Sequence, residues 1–330
     1  MTTLTLPDAR ALAAAAMTAC GHSTADAETI ADHLLDCELR GLSFGGLARA
    51  LSITERIRST EVPQQPIRVV AETPVSATVD GGDQVGYLVG MRVLQLAMAK
   101  ARAQGIAVVG ARNTWYTGMF SYYLEKAAEA GLAGMIAGSA PALVAPHGGT
   151  EARFGTNPIA FGFPATPHPV IWDIGTSAVM YGEVTLKARL GEKLAPGQAY
   201  DAAGVPTLDP AAALEGAFGV WGAHKGSGLA LVVQLLGMMT GAAADPPGVS
   251  DCGFFAVLFD PRALTDPDDY RQRVTAFAES VRATRPVEGG SPVRVPFDGS
   301  VTRRDEALRR GTIDVPEAVV DALHQEAGGA

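Results

Sequence analysis

Strand-like and helix-like runs are mixed along the whole of this chain, and they do not alternate regularly. Apolar, β-rich runs fall at residues 69–71, 77–79, 106–109, 133–137, 159–163, 170–172 and 254–259. Helical periodicity covers residues 8–20, 25–40, 47–57, 91–104, 122–130, 208–218, 226–241, 268–285, 301–310 and 316–325. Without the repeating strand-helix unit, a parallel doubly wound sheet is excluded and a mixed α/β architecture remains. The punctuation agrees with these runs. Ser23 or Thr24 can cap the second helix and Gly41 can end it, while Asp80-Gly81-Gly82-Asp83 predicts a turn and residues 286–296 a loop. The most apolar helix, 226–241, is expected to be buried.

A chain of 330 residues can bury a large core and has room for about two domains. Its 47% hydrophobic and 18% charged residues are those of a globular protein. A net charge of −9, with no dense Lys/Arg stripe, argues against nucleic acid as a partner. The stretch 229–239 is too short to span a bilayer, and the opening MTTLTLPDAR carries no secretory pattern, so no membrane partner and a cytoplasmic location are expected. Cys20, Cys37 and Cys252 are widely spaced and form no CxxC pair, which suggests neither disulfides nor a metal site. No internal repeat or low-complexity linker appears, so a second domain would be interleaved with the first.

Three polar clusters can carry chemistry. His224-Lys225-Gly226-Ser227-Gly228 opens the long apolar helix, where free backbone N–H groups, glycines and a cation suit the phosphates of a dinucleotide. It is not the GxGxxG fingerprint, because Leu231 stands where the third glycine would be, and a structural glycine turn reads the same way. The glycine-rich loop 147–158 precedes a β-like run. In Trp172-Asp173-Ile174-Gly175-Thr176-Ser177 a strand ends in small polar groups able to bond ribose or pyrophosphate, or in a turn with an Asp cap.

Taken in order, Glu151-Ala152-Arg153-Phe154-Gly155-Thr156-Asn157-Pro158, Asp209-Pro210-Ala211-Ala212-Ala213-Leu214-Glu215-Gly216 and His224-Lys225-Gly226-Ser227-Gly228 resemble the malate and L-lactate dehydrogenases that lack the Rossmann fold. Ureidoglycolate dehydrogenase, diketogulonate reductase and the piperideine-2-carboxylate (cyclic ketimine) reductases belong to the same family. The resemblance runs from Ala27 through the closing helix. It implies a homodimer whose mixed sheet binds NAD or NADP, with an interleaved helical region. Residues 1–70 and 286–330 would form the helical, dimerising part and residues 71–285 the dinucleotide-binding part. Cofactor contacts would come from Asp173, Ile174, Gly175, Thr176 and Ser177, from His224, Lys225, Gly226 and Ser227, and from Phe297, Asp298 and Gly299. Arg49 falls on the arginine of the family's Ser-His-Gly-x-x-Arg signature, the partner of a small carboxylate substrate, a role that a bidentate guanidinium suits. An ordinary surface arginine is the competing reading.

The chain departs from the family where proton transfer is expected. In Gly41-Leu42-Ser43-Phe44-Gly45-Gly46-Leu47-Ala48-Arg49, Gly45, or Phe44 with a shifted gap, replaces the signature histidine; in Arg112-Asn113-Thr114-Trp115-Tyr116, Tyr116 replaces the second. Oxidising an alcohol needs a base for the hydroxyl proton, whereas a protonated imine already carries the charge that attracts hydride. Tyr116 can donate a proton but is a poor base near neutrality, and it reads equally as a core tyrosine. Three functions therefore stay open: an NAD(P)H-dependent reductase of C=N or another activated double bond, a 2-hydroxy acid or 2-oxo acid dehydrogenase, and a binding protein or non-redox catalyst that has lost hydride transfer.

Overall fold

The computed structural model describes residues 1–60, 63–246 and 248–328. Strand β1 (Thr2–Thr5) leads into three helices, α1 (Leu6–Ala19), α2 (Thr24–Leu39) and α3 (Leu47–Arg58). The side chains of Thr5 and Ser23 cap the first two by accepting from the N–H groups of Asp8 and Asp26. Next come β2 (Arg68–Glu72), β3 (Ser76–Val85), α4 (Gly86–Gln104), β4 (Ile106–Trp115), α5 (Phe120–Glu129), β5 (Ala133–Gly138), β6 (Ile159–Phe163) and β7 (Val170–Ile174). A smaller unit follows, of α6 (Tyr181–Leu190), β8 (Ala199–Tyr200), β9 (Pro206–Thr207), α7 (Pro210–Leu214) and β10 (Ala217–Phe218). The chain ends with α8 (Ala223–Met239), β11 (Phe254–Phe259), α9 (Pro267–Arg282), α10 (Asp298–Arg310), β12 (Thr312–Val315) and α11 (Glu317–Gly328).

The main sheet has seven strands in the order β2-β3-β4-β11-β5-β6-β7. Only β3 and β4 run parallel, so the sheet is mixed, as the irregular sequence pattern requires. Val89, Val93 and Ala97 of α4 and Tyr123, Leu124 and Ala127 of α5 bury one face against Val109, Ile136 and Ala256. Val233 of α8 meets Ala137 and Ile159 on the other. A separate helical core joins both ends of the chain: alanines of α1 and α2 let these helices approach, and Val319 and Leu323 of α11 close the layer.

Three expectations are corrected. Asp80-Gly81-Gly82-Asp83 is not a chain reversal but lies inside β3, where the ladder to β4 changes register between Asp80 and Gln84. The Asp80 carboxylate accepts from Gly82 N and Asn113 Nδ2, both at 2.9 Å, which satisfies the irregular backbone locally. The helix foreseen over 208–218 is only Pro210–Leu214, because Ala217 and Phe218 pair with β8. Helix α8 is not buried all round. Ala230, Val233, Gln234 and Gly237 face inward, while Leu231, Val232, Leu235, Met238 and Met239 are exposed, since the helix touches the sheet along one side only. No helix among the described residues is long and apolar enough to cross a membrane.

Candidate active site

The site is built around the start of α3. Gly46 precedes this helix and offers no side chain to cap it; instead the Glu38 carboxylate, at the end of α2, accepts from Leu47 N at 2.8 Å. Burial raises this carboxyl to about 7 against the opposing Leu47 hydrogen bond. Arg49, two residues into the helix, is 9% exposed and its Nη1 is buried with no hydrogen-bond partner. Its guanidinium lies 4.5 Å above the Tyr116 ring and 6.0 Å from that of Tyr181. Gly182 makes this approach possible, because a Cβ there would collide with Arg49 Nη2.

Arg49, Tyr116, Tyr181 and Gly182 line one cavity of about 1010 Å³, together with Asp173, Cys37 and Cys252. Tyr116 closes β4 in the left-handed region, φ 49°, a conformation that strains a side chain of this size. Burial drives its hydroxyl well above the ordinary tyrosine range, with Arg49 opposing and Tyr181 adding to the rise. The Asp173 carboxylate, at the end of β7, accepts from Ser121 N at 2.7 Å and so holds the first turn of α5. Burial still raises it, against those backbone donors. Burial likewise pushes the Cys252 thiol up to about 12 and the Cys37 thiol well above its usual value. Among the described residues that line the cavity, Arg49 is the lone Lys or Arg, and it stands beside a tyrosine, an aspartate and two cysteines that burial raises above their ordinary ranges.

No histidine lines the cavity among the described residues. His33 comes near it, but its Nε2 accepts from Met119 N at 2.9 Å, and burial lowers the ring to about 3, so it neither faces the cavity nor takes a proton near neutrality. The structure therefore brings Arg49 and Tyr116 together and adds Tyr181, Glu38 and His33, which the sequence did not single out. Gly46 was the available signal for Glu38: a helix start without a capping side chain needs a partner from elsewhere.

Of the expected cofactor contacts, Asp173, Ile174 and Gly175 line the same cavity. Thr176 N and Oγ1 both donate to Thr156 O, and Ser177 Oγ donates to Val179 O at 2.6 Å. Trp221 N donates to Thr176 O at 2.8 Å, which ties the start of α8 to this rim. Helix α8 begins with no side-chain cap and no acid in its first turn; His224 and Lys225 are exposed, Gly226 is buried, and Ser227 Oγ accepts from His147 N at 3.2 Å. Uncapped N–H groups beside a cation fit a pyrophosphate. The third segment stands apart from the cavity: Phe297 packs under Arg40 at 4.8 Å, the Asp298 carboxylate is gripped by Arg282, and Gly299 lies near Arg294 and Arg303.

The sequence model of the malate/L-lactate dehydrogenase family matches residues 4–324. The chain belongs to that family. Within the malate/L-lactate dehydrogenases it is 33% identical over 267 residues to an L-sulfolactate dehydrogenase of Methanothermobacter thermautotrophicus, covering 78% of each chain. It is 31% identical over 347 residues to a Δ1-pyrroline-2-carboxylate/Δ1-piperideine-2-carboxylate reductase of Pseudomonas aeruginosa, covering 99% of this chain and 98% of the relative. Its fold matches the crystal structure of a dehydrogenase from Sinorhizobium meliloti with a TM-score of 0.90 and 31% identity, over 99% of this chain and 98% of the other. As a member of the family it is an oxidoreductase that uses NAD or NADP.

Proposed function

We propose that this malate/L-lactate dehydrogenase family member reduces the C=N bond of a small 2-imino or cyclic ketimine carboxylate with NADH or NADPH. The observation that carries the reading is Arg49: a buried guanidinium with one nitrogen unpartnered, in a cavity where burial raises the Tyr116 hydroxyl and the Asp173 carboxyl above their ordinary ranges. Arg49 grips the substrate carboxylate, and the Tyr116 ring beneath it keeps the fork oriented. The 173–177 rim and the His224–Ser227 turn would hold the dinucleotide, which would supply the hydride. Tyr116 and Asp173 line the same cavity as Arg49; burial raises both, and Tyr116, driven far above its ordinary range, is no base near neutrality. That suits an electrophile that arrives already protonated. The pyrroline/piperideine carboxylate reductase among the relatives supports the same chemistry.

The sulfolactate dehydrogenases favour a second reading, oxidation of a 2-hydroxy acid, in which ionised Asp173 would take the hydroxyl proton. Asp173→Asn, whose amide oxygen can still accept from Ser121 N, separates the two: it lowers imine reduction only modestly, whereas an obligatory base for the hydroxyl proton is worth roughly 10²–10⁴-fold. We also propose a cytoplasmic homodimer, with residues 1–70 and 286–330 as its helical part. The exposed apolar side of α8 is a further surface that a second copy can cover. Sedimentation at micromolar concentration as a single-chain species counts against the dimer.

A further inference from the structure

Arg49 and Tyr116 sit on different elements, α3 and the turn after β4, yet each is held by a side chain of one helix. Glu38 of α2 supplies the cap that Gly46 cannot, accepting from Leu47 N at the base of the helix that carries Arg49. One turn and a half earlier, His33 Nε2 accepts from Met119 N in the turn that carries Tyr116. That turn is tight: Gly118 has φ 75°, and a Cβ on it would come within 2.6 Å of His33 Nε2. Tyr123 secures the same turn by donating its hydroxyl to Thr117 O at 3.0 Å. His33 is packed edge-on against Tyr87 and tilted on Tyr122, with ring centroids 4.6 and 4.2 Å away.

His33 is a poor choice for packing alone. It is 1% exposed, its Nδ1 has no hydrogen-bond partner, and burying an unmet donor costs about 1–3 kcal/mol that a leucine would avoid. What the imidazole offers in return is an uncharged acceptor for Met119 N–H. We infer that α2 is the positioning element of the site, with His33 setting the Tyr116 turn and Glu38 setting the helix of Arg49. Neither touches the substrate, so both are positioning residues. The inference rests on the reading of Arg49 as the carboxylate partner and of Tyr116 as the ring wall beside it that sets where the reacting carbon lies. Since Glu38 supports the group that binds the carboxylate and His33 the wall that places the reacting carbon, they act on different kinetic constants.

The test is a kinetic split on the intact protein with a cyclic imino acid and NAD(P)H. His33→Leu lowers kcat about tenfold with KM held within about twofold, and His33→Gln, whose amide oxygen can accept from Met119 N, recovers most of the loss. Glu38→Ala raises KM about tenfold with kcat held within about twofold, and Glu38→Gln recovers it in the same way. Equal effects of both residues on both constants, or no recovery by the glutamines, overturn the inference. If a variant does not fold, ring ¹⁵N shifts of the wild-type protein decide the His33 half: Nε2 unprotonated and unchanged between about pH 5 and 8 is expected. A ring that titrates there, or carries its proton on Nε2, overturns it. Arg49→Ala and Tyr116→Ala are the references: if they leave KM and kcat unchanged in an active enzyme, the reading of the site fails. If they act and the α2 variants do not split, only the inference fails.

Discussion

The two ends of the proposed site are built in opposite ways. At the Arg49 end the working groups are buried side chains, and each depends on a partner from another element: Glu38 for α3, His33 for the Tyr116 turn, Gly182 for the space that the guanidinium fills. At the α8 end, tied to the cavity rim by the bond from Trp221 N to Thr176 O, the groups are uncapped backbone N–H groups at a helix start and the exposed side chain of Lys225. Under the proposed function the first arrangement is suited to a small charged group, recognised by desolvation with little tolerance for change, and the second to a large ligand held by many weak contacts with no dominant side chain.

Predictions that break or sharpen this contrast begin with Arg49→Ala. Removing one partner of a buried charge pair is expected to lose about 2–5 kcal/mol in kcat/KM for a carboxylate substrate. Steady-state kinetics checks it, and a loss of only severalfold would make Arg49 a rim residue and erase the contrast.

Stability against pH probes the partners of the buried end, in opposite directions. The folded protein holds His33 at about 3, below its ordinary 6.5, so it binds fewer protons there than the unfolded chain. The stability this confers is full above about pH 6.5 and is lost as pH falls towards 3. Glu38, raised from 4.5 to about 7, works the other way: its contribution is full below about pH 4.5 and is lost as pH rises through 7. At about 1.4 kcal/mol per unit the His33 limb is the larger. Tm measured across this range should lose its acid limb in His33→Gln and flatten near neutrality in Glu38→Gln.

The smallest effect belongs to the exposed end. Lys225→Ala should weaken dinucleotide binding only severalfold, and less at high salt, because an exposed cation is screened. Calorimetry at two ionic strengths checks it. A loss as large as that of Arg49→Ala would mean that the α8 start is a buried, specific site.

The same contrast explains what could be read from the chain. The mixed α/β class, most helix and strand positions and the α8 turn were legible, because glycines, caps and periodicity are local signals. The buried end was legible only where single residues stood in recognisable stretches, as Arg49 and Tyr116 do. Glu38 reaches Leu47 across nine positions and His33 reaches Met119 across 86, so no local pattern announces either pairing. Tyr181 enters the site through packing against Tyr116, on a helix that periodicity did not reveal. The exposed side of α8 misled for a related reason: a run that is apolar all round does not say which side the sheet will cover.

The central claim is that this site reduces an electrophile that is already protonated. The direct measurement is kcat/KM with NADH and with NADPH for a matched pair of 2-oxo and 2-imino (or cyclic ketimine) carboxylates at several pH values, with oxidation of the corresponding 2-hydroxy acid run in parallel. The account predicts that imine reduction greatly outpaces both ketone reduction and alcohol oxidation, and that it follows the iminium fraction as pH changes. Efficient, reversible oxidation of the 2-hydroxy acid would contradict it and return the chain to the ordinary dehydrogenase chemistry of its family.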